Sequence, residues 1–212
     1  MALHPGEEIS LEGLMYGLAI ESANDAANAI AEHISGSISS FRDLMNSRAA
    51  RAGAKNSHFE NPNGLHSENH YTTAYDLYLI SKYAMQNETF RTIVKTPEYY
   101  VEPTNMNGNR RHFFNTNGLL SNKKYAGYYY ENCIGIKTGY TKAAGRCLVF
   151  GAKRDGLELI GVVLNCPDWF QEAERILDMG FAEYEYFTAF AAGESVRVLP
   201  VQDGVRETVS IV

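Results

Sequence analysis

Ile134-Gly135-Ile136-Lys137-Thr138-Gly139-Tyr140-Thr141 is the stretch whose reading decides the fold. Apolar residues run into a Lys-Thr-Gly triplet, and a second threonine follows Tyr140. The entry reads as a buried strand, because isoleucine suits a pleated, half-buried surface. A lysine at the end of such a strand is costly to desolvate unless an anion meets it. Thr138 adds a hydroxyl, and Gly139 removes a side chain where a second backbone can lie close. A cation, a hydroxyl and a bare edge backbone together suit a carboxylate-ended peptide added as an extra strand. The competing reading is a strand ending in a glycine turn with an exposed lysine, and three residues alone do not exclude it.

The remainder of the chain bounds the choice. With 212 residues and 45% hydrophobic content, it can bury a sizeable core in one large domain, or in one domain plus part of another. A net charge of −6 argues against steering toward nucleic acid or an anionic membrane. Tyrosine is abundant and concentrates between Tyr71 and Tyr130, which suits a cleft or packed edge with one wet side. Cys133, Cys147 and Cys166 lack the spacing of a zinc or dithiol motif. His66 and His70 lie four apart in a loop bounded by Pro62, Gly64 and polar residues, without the HExxH pattern, so no metal site is expected. Phosphate-binding glycine loops are absent, and no cofactor is implied. No apolar run reaches the length of a membrane span, and residues 1–10 lack the basic and apolar regions of a signal peptide.

Taken in order, Ser10 caps a predicted helix carrying Leu11, Leu14, Met15, Leu18 and Ala19. The pattern breaks at Glu21-Ser22-Ala23-Asn24. An alanine-rich helix through Ala26, Ala27, Ile30 and Ala31 then stops at Gly36. Ser39 or Ser40 starts a third helix through Phe41, Leu44, Met45 and Ala49, ending at Gly53. Residues 56–69 form a turn-rich but structured loop, since Phe59 and Leu65 need burial. Thr72 or Thr73 caps a helix with Tyr75, Leu77, Leu79, Ile80 and Tyr83, and a short helix covers 87–94. Strands are predicted at 99–101 and 112–115, then at 133–140, 145–153 and 157–165, with Asp155-Gly156 in a tight hairpin. A helix from 168 to about 186 has Ile176, Leu177, Met179 and Phe181 on its apolar side. Short strands at 195–200 and 208–212 suggest a division into residues 1–187 and a β-type extension over 188–212.

Ser22-Ala23-Asn24 alone reads as a helix cap, since Ser and Asn lead at that position. Paired with a later Lys-Thr-Gly it means more: Ser-x-x-Lys, Ser-x-Asn and Lys-Thr-Gly form the motif set of β-lactamases and penicillin-binding proteins. The chain resembles the D-alanyl-D-alanine carboxypeptidases of the low-molecular-mass penicillin-binding protein family. Four segments carry the likeness in the same order: Glu21 through Ala27, Phe59 through Leu65, Tyr71 through Leu77, and Gly135 through Thr141 with Ala144-Gly145. The likeness spans about residues 5–185.

The resemblance implies an α/β fold of the serine β-lactamase/penicillin-binding transpeptidase type, an antiparallel sheet flanked by helices with a helical subdomain. It implies Ser22, Asn24 and Lys137 as catalytic residues, and Thr138, Gly139, Tyr140 and Thr141 as substrate-binding residues. In that family a serine attacks the penultimate D-alanine carbonyl of a peptidoglycan stem peptide ending in D-Ala-D-Ala, and β-lactams inhibit it. Ser22 would relay a proton, and Asn24 would orient the catalytic lysine and bond the substrate amide. Lys137 and Thr138 would hold the carboxylate, and the Tyr140 N–H would supply half of the oxyanion hole. One departure is large: the family's Ser-x-x-Lys should precede Ser22, yet Ser10 is followed by Leu11, Glu12 and Gly13. Ser121-Asn122-Lys123-Lys124 has the spacing but reads as a solvated loop. The chain is therefore expected to be an N-terminally truncated piece of an extracytoplasmic enzyme, inactive alone and prone to self-association through exposed apolar surface. The family's carboxylate-binding arginine is also not evident near Asp168-Trp169-Phe170-Gln171, where Arg175 is misplaced. A β-lactamase is disfavoured by Ala23 where those enzymes carry aspartate. A non-catalytic peptidoglycan-binding module is the alternative from another class.

Overall fold

The computed structural model describes residues 1–200, 202 and 208–211. Helices α1 (Leu11–Ile20), α2 (Asn24–Ser35), α3 (Ile38–Arg51), α4 (Ala74–Ala84) and α5 (Glu88–Lys95) come first. Strands β1 (Glu98–Val101) and β2 (Arg111–Phe114) form a small antiparallel pair. Strands β3 (Cys133–Thr141), β4 (Gly145–Arg154) and β5 (Leu157–Val163) form the main antiparallel sheet in the order β3-β4-β5. Helix α6 (Trp169–Glu183) follows, then a hairpin of β6 (Arg197–Pro200) and β7 (Thr208–Ile211). Val212, where the last predicted strand ends, lies outside the described residues.

Local chemistry sets most boundaries. Ser10 accepts from the Gly13 N–H at 3.0 Å, Thr73 from the Asp76 N–H at 3.1 Å, and Asn87 from the Phe90 N–H at 3.0 Å, each satisfying a donor the helix cannot. Gly36 ends α2 with φ +73° and donates to the Glu32 carbonyl at 2.8 Å. The β4–β5 turn has Asp155 at φ +48° and Gly156 at φ +87°, both left-handed as a two-residue hairpin turn requires. Helix α3, however, is capped by Ser37, not Ser39 or Ser40. Three serines offer the same hydroxyl, and the turn at Gly36 makes Ser37 the first one past it. Strand β5 ends at Val163 and not at Asn165, whose φ of +47° breaks the extended backbone.

The core lies on both sides of the sheet. Leu148, Phe150, Ala152 and Val163 pack against Phe170, Ala173 and Leu177 of α6 and against Leu119, Leu120 and Tyr130. A second cluster joins Ile134, Ile136 and Val149 to Val94 and Met85. Phe150 is fully buried and pairs across strands with Gly161, where an added Cβ would run into the Phe150 ring. Smaller clusters seat α1 on β1 and β2 through Tyr16, Ile20, Val101 and Phe113, and on α2 through Leu14, Ala26 and Ile30.

The apolar assignments need correction at five positions, two of them Tyr75 and Tyr83 of α4, which are exposed. Leu11 is 52% exposed, Leu65 54% and Met179 45%. Helical spacing singled out the helix residues, and the expectation of a structured loop singled out Leu65, but nothing among the described residues covers them. The 56–69 loop is structured for another reason: buried Asp76 accepts from the Asn56 N–H at 2.6 Å and the Ser57 hydroxyl at 2.7 Å, clamping the loop to α4.

Candidate active site

Helix α1 stops at Ile20 and α2 begins at Asn24. Ala23 is buried and donates its N–H to the Gly17 carbonyl, folding the chain back on itself. Ser22 therefore projects from a sharp corner, with φ +62°, a region that non-glycine residues adopt only when the surroundings hold them there. It caps nothing: the N-cap of α2 is Ala23, and no side chain closes that end. Its hydroxyl accepts instead from Lys137 Nζ at 2.9 Å, across 115 residues of sequence.

Lys137 also donates to the Thr138 carbonyl at 2.8 Å. Burial is the largest influence on its ammonium and pushes it down to about 8, the nearby Lys124 adding to the fall and Glu21 opposing it. Thr138 is buried, with its hydroxyl 2.5 Å from Thr116 Oγ1. Gly139 and Tyr140 are exposed, Tyr140 by 67%. Because β3 is at the sheet's edge, its outer backbone has no strand partner among the described residues. Asn24 is exposed and its amide makes no hydrogen bond among the described residues, so it stands free beside the corner. Thr141 differs: its hydroxyl accepts from the Ala144 N–H at 3.0 Å and holds the β3–β4 turn.

The 115–117 segment was not singled out from sequence. Thr116 donates its N–H to the Ile20 carbonyl at 3.0 Å, and Asn115 donates its amide to the carbonyls of Val94 and Thr96 at 3.2 and 2.9 Å. This short run of polar residues ties the end of α1 to β3 through the Thr116–Thr138 contact. The signal was present in Asn115-Thr116-Asn117, a polar triplet running straight into Leu119-Leu120. Glu21 adds a second tie, accepting from Lys124 Nζ at 3.3 Å. Lys124 lies in a turn, not a helix, so Ser121 and Lys124 do not form the buried helical pair of a Ser-x-x-Lys nucleophile. A groove of about 450 Å³ runs along this side of the sheet past Lys137, Thr138 and Gly139, walled by Met15, Leu18 and Phe90. Among the described residues no cluster of His, Cys, Asp and Glu could hold a metal ion.

An edge strand carrying Lys-Thr-Gly, with its lysine bonded to the serine of a Ser-x-Asn corner between two helices, supplies two of the three motifs that mark the β-lactamase and penicillin-binding class. Residues 1–168 match the profile of peptidase S11, D-alanyl-D-alanine carboxypeptidase. The chain belongs to that family. It is 33% identical to the D-alanyl-D-alanine carboxypeptidase DacF of Bacillus subtilis over 99% of this chain and 52% of the relative. It is 38% identical to a D-alanyl-D-alanine carboxypeptidase of Streptomyces sp. K15 over 84% of this chain and 62% of that one. The crystal structure of the Streptomyces K15 DD-transpeptidase superposes with a TM-score of 0.77 at 36% identity, covering 85% of this chain and 71% of that one. The chain thus spans roughly half to three-fifths of the length of these curated relatives.

Proposed function

We propose that this chain carries the substrate-binding edge and proton relay of a serine-type D-Ala-D-Ala carboxypeptidase. The observation that carries the reading is the Lys137–Ser22 hydrogen bond, which joins two motifs 115 residues apart at one point of the sheet edge. A stem peptide ending in D-Ala-D-Ala would lie along β3 as an added strand. Its terminal carboxylate would meet the Lys137 ammonium and the Thr138 hydroxyl. The Tyr140 N–H would donate to the oxygen of the attacked carbonyl, a contact worth on the order of 3 kcal/mol of barrier in serine enzymes. The space beside Gly139 is open, since a Cβ there would meet nothing within 4 Å, and a ligand strand could lie close. Ser22, held against Lys137, would pass a proton to the leaving amine, and Asn24 would bond the substrate amide.

The acylating serine and its lysine base would sit in a Ser-x-x-Lys motif, and none precedes Ser22 in this sequence. A fluorescent penicillin mixed with the chain should therefore leave it unlabelled; a stable covalent adduct would show that a nucleophile is present after all. Supplying an upstream Ser-x-x-Lys segment in the same polypeptide should restore both labelling and D-alanine release. Failure of both would remove the enzyme reading. The reaction would take place in the bacterial cell wall, outside the cytoplasm. Residues 1–187 would form the catalytic unit and 188–212 the start of a β-type extension.

A further inference from the structure

A separate cavity opens at the far end of β3. It measures about 490 Å³, is walled by Tyr125, Tyr128, Tyr140 and Trp169, and takes its charges from Arg146 and Asp168. Lys137 and Tyr140 are three residues apart on one strand, so their side chains leave opposite faces of the sheet. Tyr140 pairs with Arg146 across β3 and β4. The guanidinium is therefore on the Tyr140 face, away from the Lys137–Ser22 contact.

Both side chains are exposed at the mouth of the cavity, and neither has an ion-pair partner among the described residues. Arg146 donates from Nη1 to the Pro167 carbonyl at 2.8 Å, and its guanidinium carbon sits 5.9 Å from the Trp169 ring centre. A guanidinium has five N–H donors, and among the described residues the others find no acceptor. Asp168 stands at the start of α6 but makes no capping hydrogen bond with its side chain. The two charges share a pocket without bonding each other. A simple anion entering it would be repelled by Asp168, and a simple cation by Arg146. A group that satisfies both carries a carboxylate and an ammonium, as an α-amino acid does, with a carbon chain to lie along the aromatic walls.

We propose that this pocket binds a free α-amino-acid group, its carboxylate on Arg146 and its ammonium on Asp168. Two sources supply that chemistry: a released amino acid, or a side chain of the bound peptide that ends in an amino-acid group. That the pocket serves a peptide lying on β3 rests on the carboxypeptidase reading; the binding itself does not.

Trp169 is the only tryptophan in the chain, so its fluorescence reports on this pocket alone. The probes are D-norleucine, its N-acetyl derivative (carboxylate only), D-norleucinamide (ammonium only) and D-alanine. D-Norleucine is expected to bind about tenfold more tightly than either blocked form, since each loses one charged hydrogen-bond partner. Arg146→Gln should bring D-norleucine down to the level of the amide, and Asp168→Asn to that of the N-acetyl form. Arg146→Lys should keep part of the preference, with melting temperature checked for all three variants. Lys137→Gln should leave the Trp169 titration unchanged while weakening any peptide bound on β3, which separates failure of this pocket from failure of the edge-strand reading. D-Alanine binding as well as D-norleucine would identify a released amino acid as the source, and weaker D-alanine binding a tethered chain. Equal binding of a blocked form, an unaltered titration in Arg146→Gln, or no Trp169 response to saturating D-norleucine would overturn the proposal.

Discussion

Lys137 gives the sharpest test, because the same protonation moves stability and binding in opposite directions. Its ammonium is held at about 8 where a free lysine lies at 10.5, burial being the main cause. Below pH 8 folded and unfolded chains are both protonated, and the folded state carries the full cost of desolvating the cation. Between pH 8 and 10.5 the unfolded chain binds more protons, so stability rises with pH; above 10.5 the dependence ends. At about 1.36 kcal/mol for each pH unit the ceiling is roughly 3.4 kcal/mol, and water reaching a half-buried ammonium reduces this to about 1–2 kcal/mol. Urea unfolding of the wild type and Lys137→Gln at pH 7, 8, 9 and 10 isolates the effect, since contributions from groups remote from Lys137 cancel in the difference. The wild type should gain about 1–2 kcal/mol relative to the variant between pH 7 and 10. Over the same range a carboxylate-ended peptide on β3 should bind progressively less well as Lys137 loses its charge. Ser22→Ala removes an acceptor that favours the charged form, so the Lys137 midpoint, followed by NMR of its ε-carbon, should fall further. A wild-type-minus-variant difference that is flat with pH, or one that falls, would refute the claim that this lysine is desolvated in the fold.

Other consequences follow from packing. Gly161→Ala should cost about 1–3 kcal/mol in denaturant unfolding, because its Cβ would displace the fully buried Phe150 ring. Asp76→Ala should cost roughly 1–3 kcal/mol by leaving the Asn56 N–H without its acceptor, while the Ser57 hydroxyl keeps Thr72 as a partner. Its signature would be faster hydrogen exchange in residues 56–73 than in the β3–β5 sheet. The apolar groove beside β3 and the exposed Leu11 and Met179 predict concentration-dependent self-association. A single monomer mass in light scattering across a hundredfold range of concentration would count against it.

What could be read from the chain, and what could not, follows from the range of each interaction. Ser10 acts within three residues of itself, so its cap was legible as local chemistry; Thr73 was narrowed only to Thr72 or Thr73, and Asn87 was placed at the start of its helix without being read as its cap. The hairpin at Asp155-Gly156 was legible for the same reason. Ser39 or Ser40 was expected to start α3 and Ser37 does, because the choice among equivalent hydroxyls is made by where the turn at Gly36 leaves the backbone. Leu11, Leu65 and Met179 mark a different limit. Helical or loop context shows which way an apolar side chain faces, but burial also needs a partner surface, and that is a property of the assembled chain.

The site divides along the same line. Lys137 and Ser22 were legible across 115 residues only because each sits in a motif whose chemistry requires the other. Thr138 has an equally direct partner in Thr116, at 2.5 Å, yet Thr116 belongs to no motif and went unnoticed. Its contact has a consequence for mechanism. A hydroxyl expected to hold a substrate carboxylate is already hydrogen-bonded, and a hydroxyl can donate only one proton. If Thr138 donates to Thr116, it cannot also donate to the carboxylate; if Thr116 donates to Thr138, the Thr138 proton is free for the ligand. With Thr116 as the donor the Thr138 proton is directed at the ligand, and Thr116→Val should then leave Thr138 to orient without a partner. Peptide affinity should then fall about threefold to tenfold, as expected for loss of orientation in a retained hydrogen bond, while Thr138→Val should lose the bond outright and fall further. Equal losses in the two variants would instead mean that Thr116 touches the ligand itself.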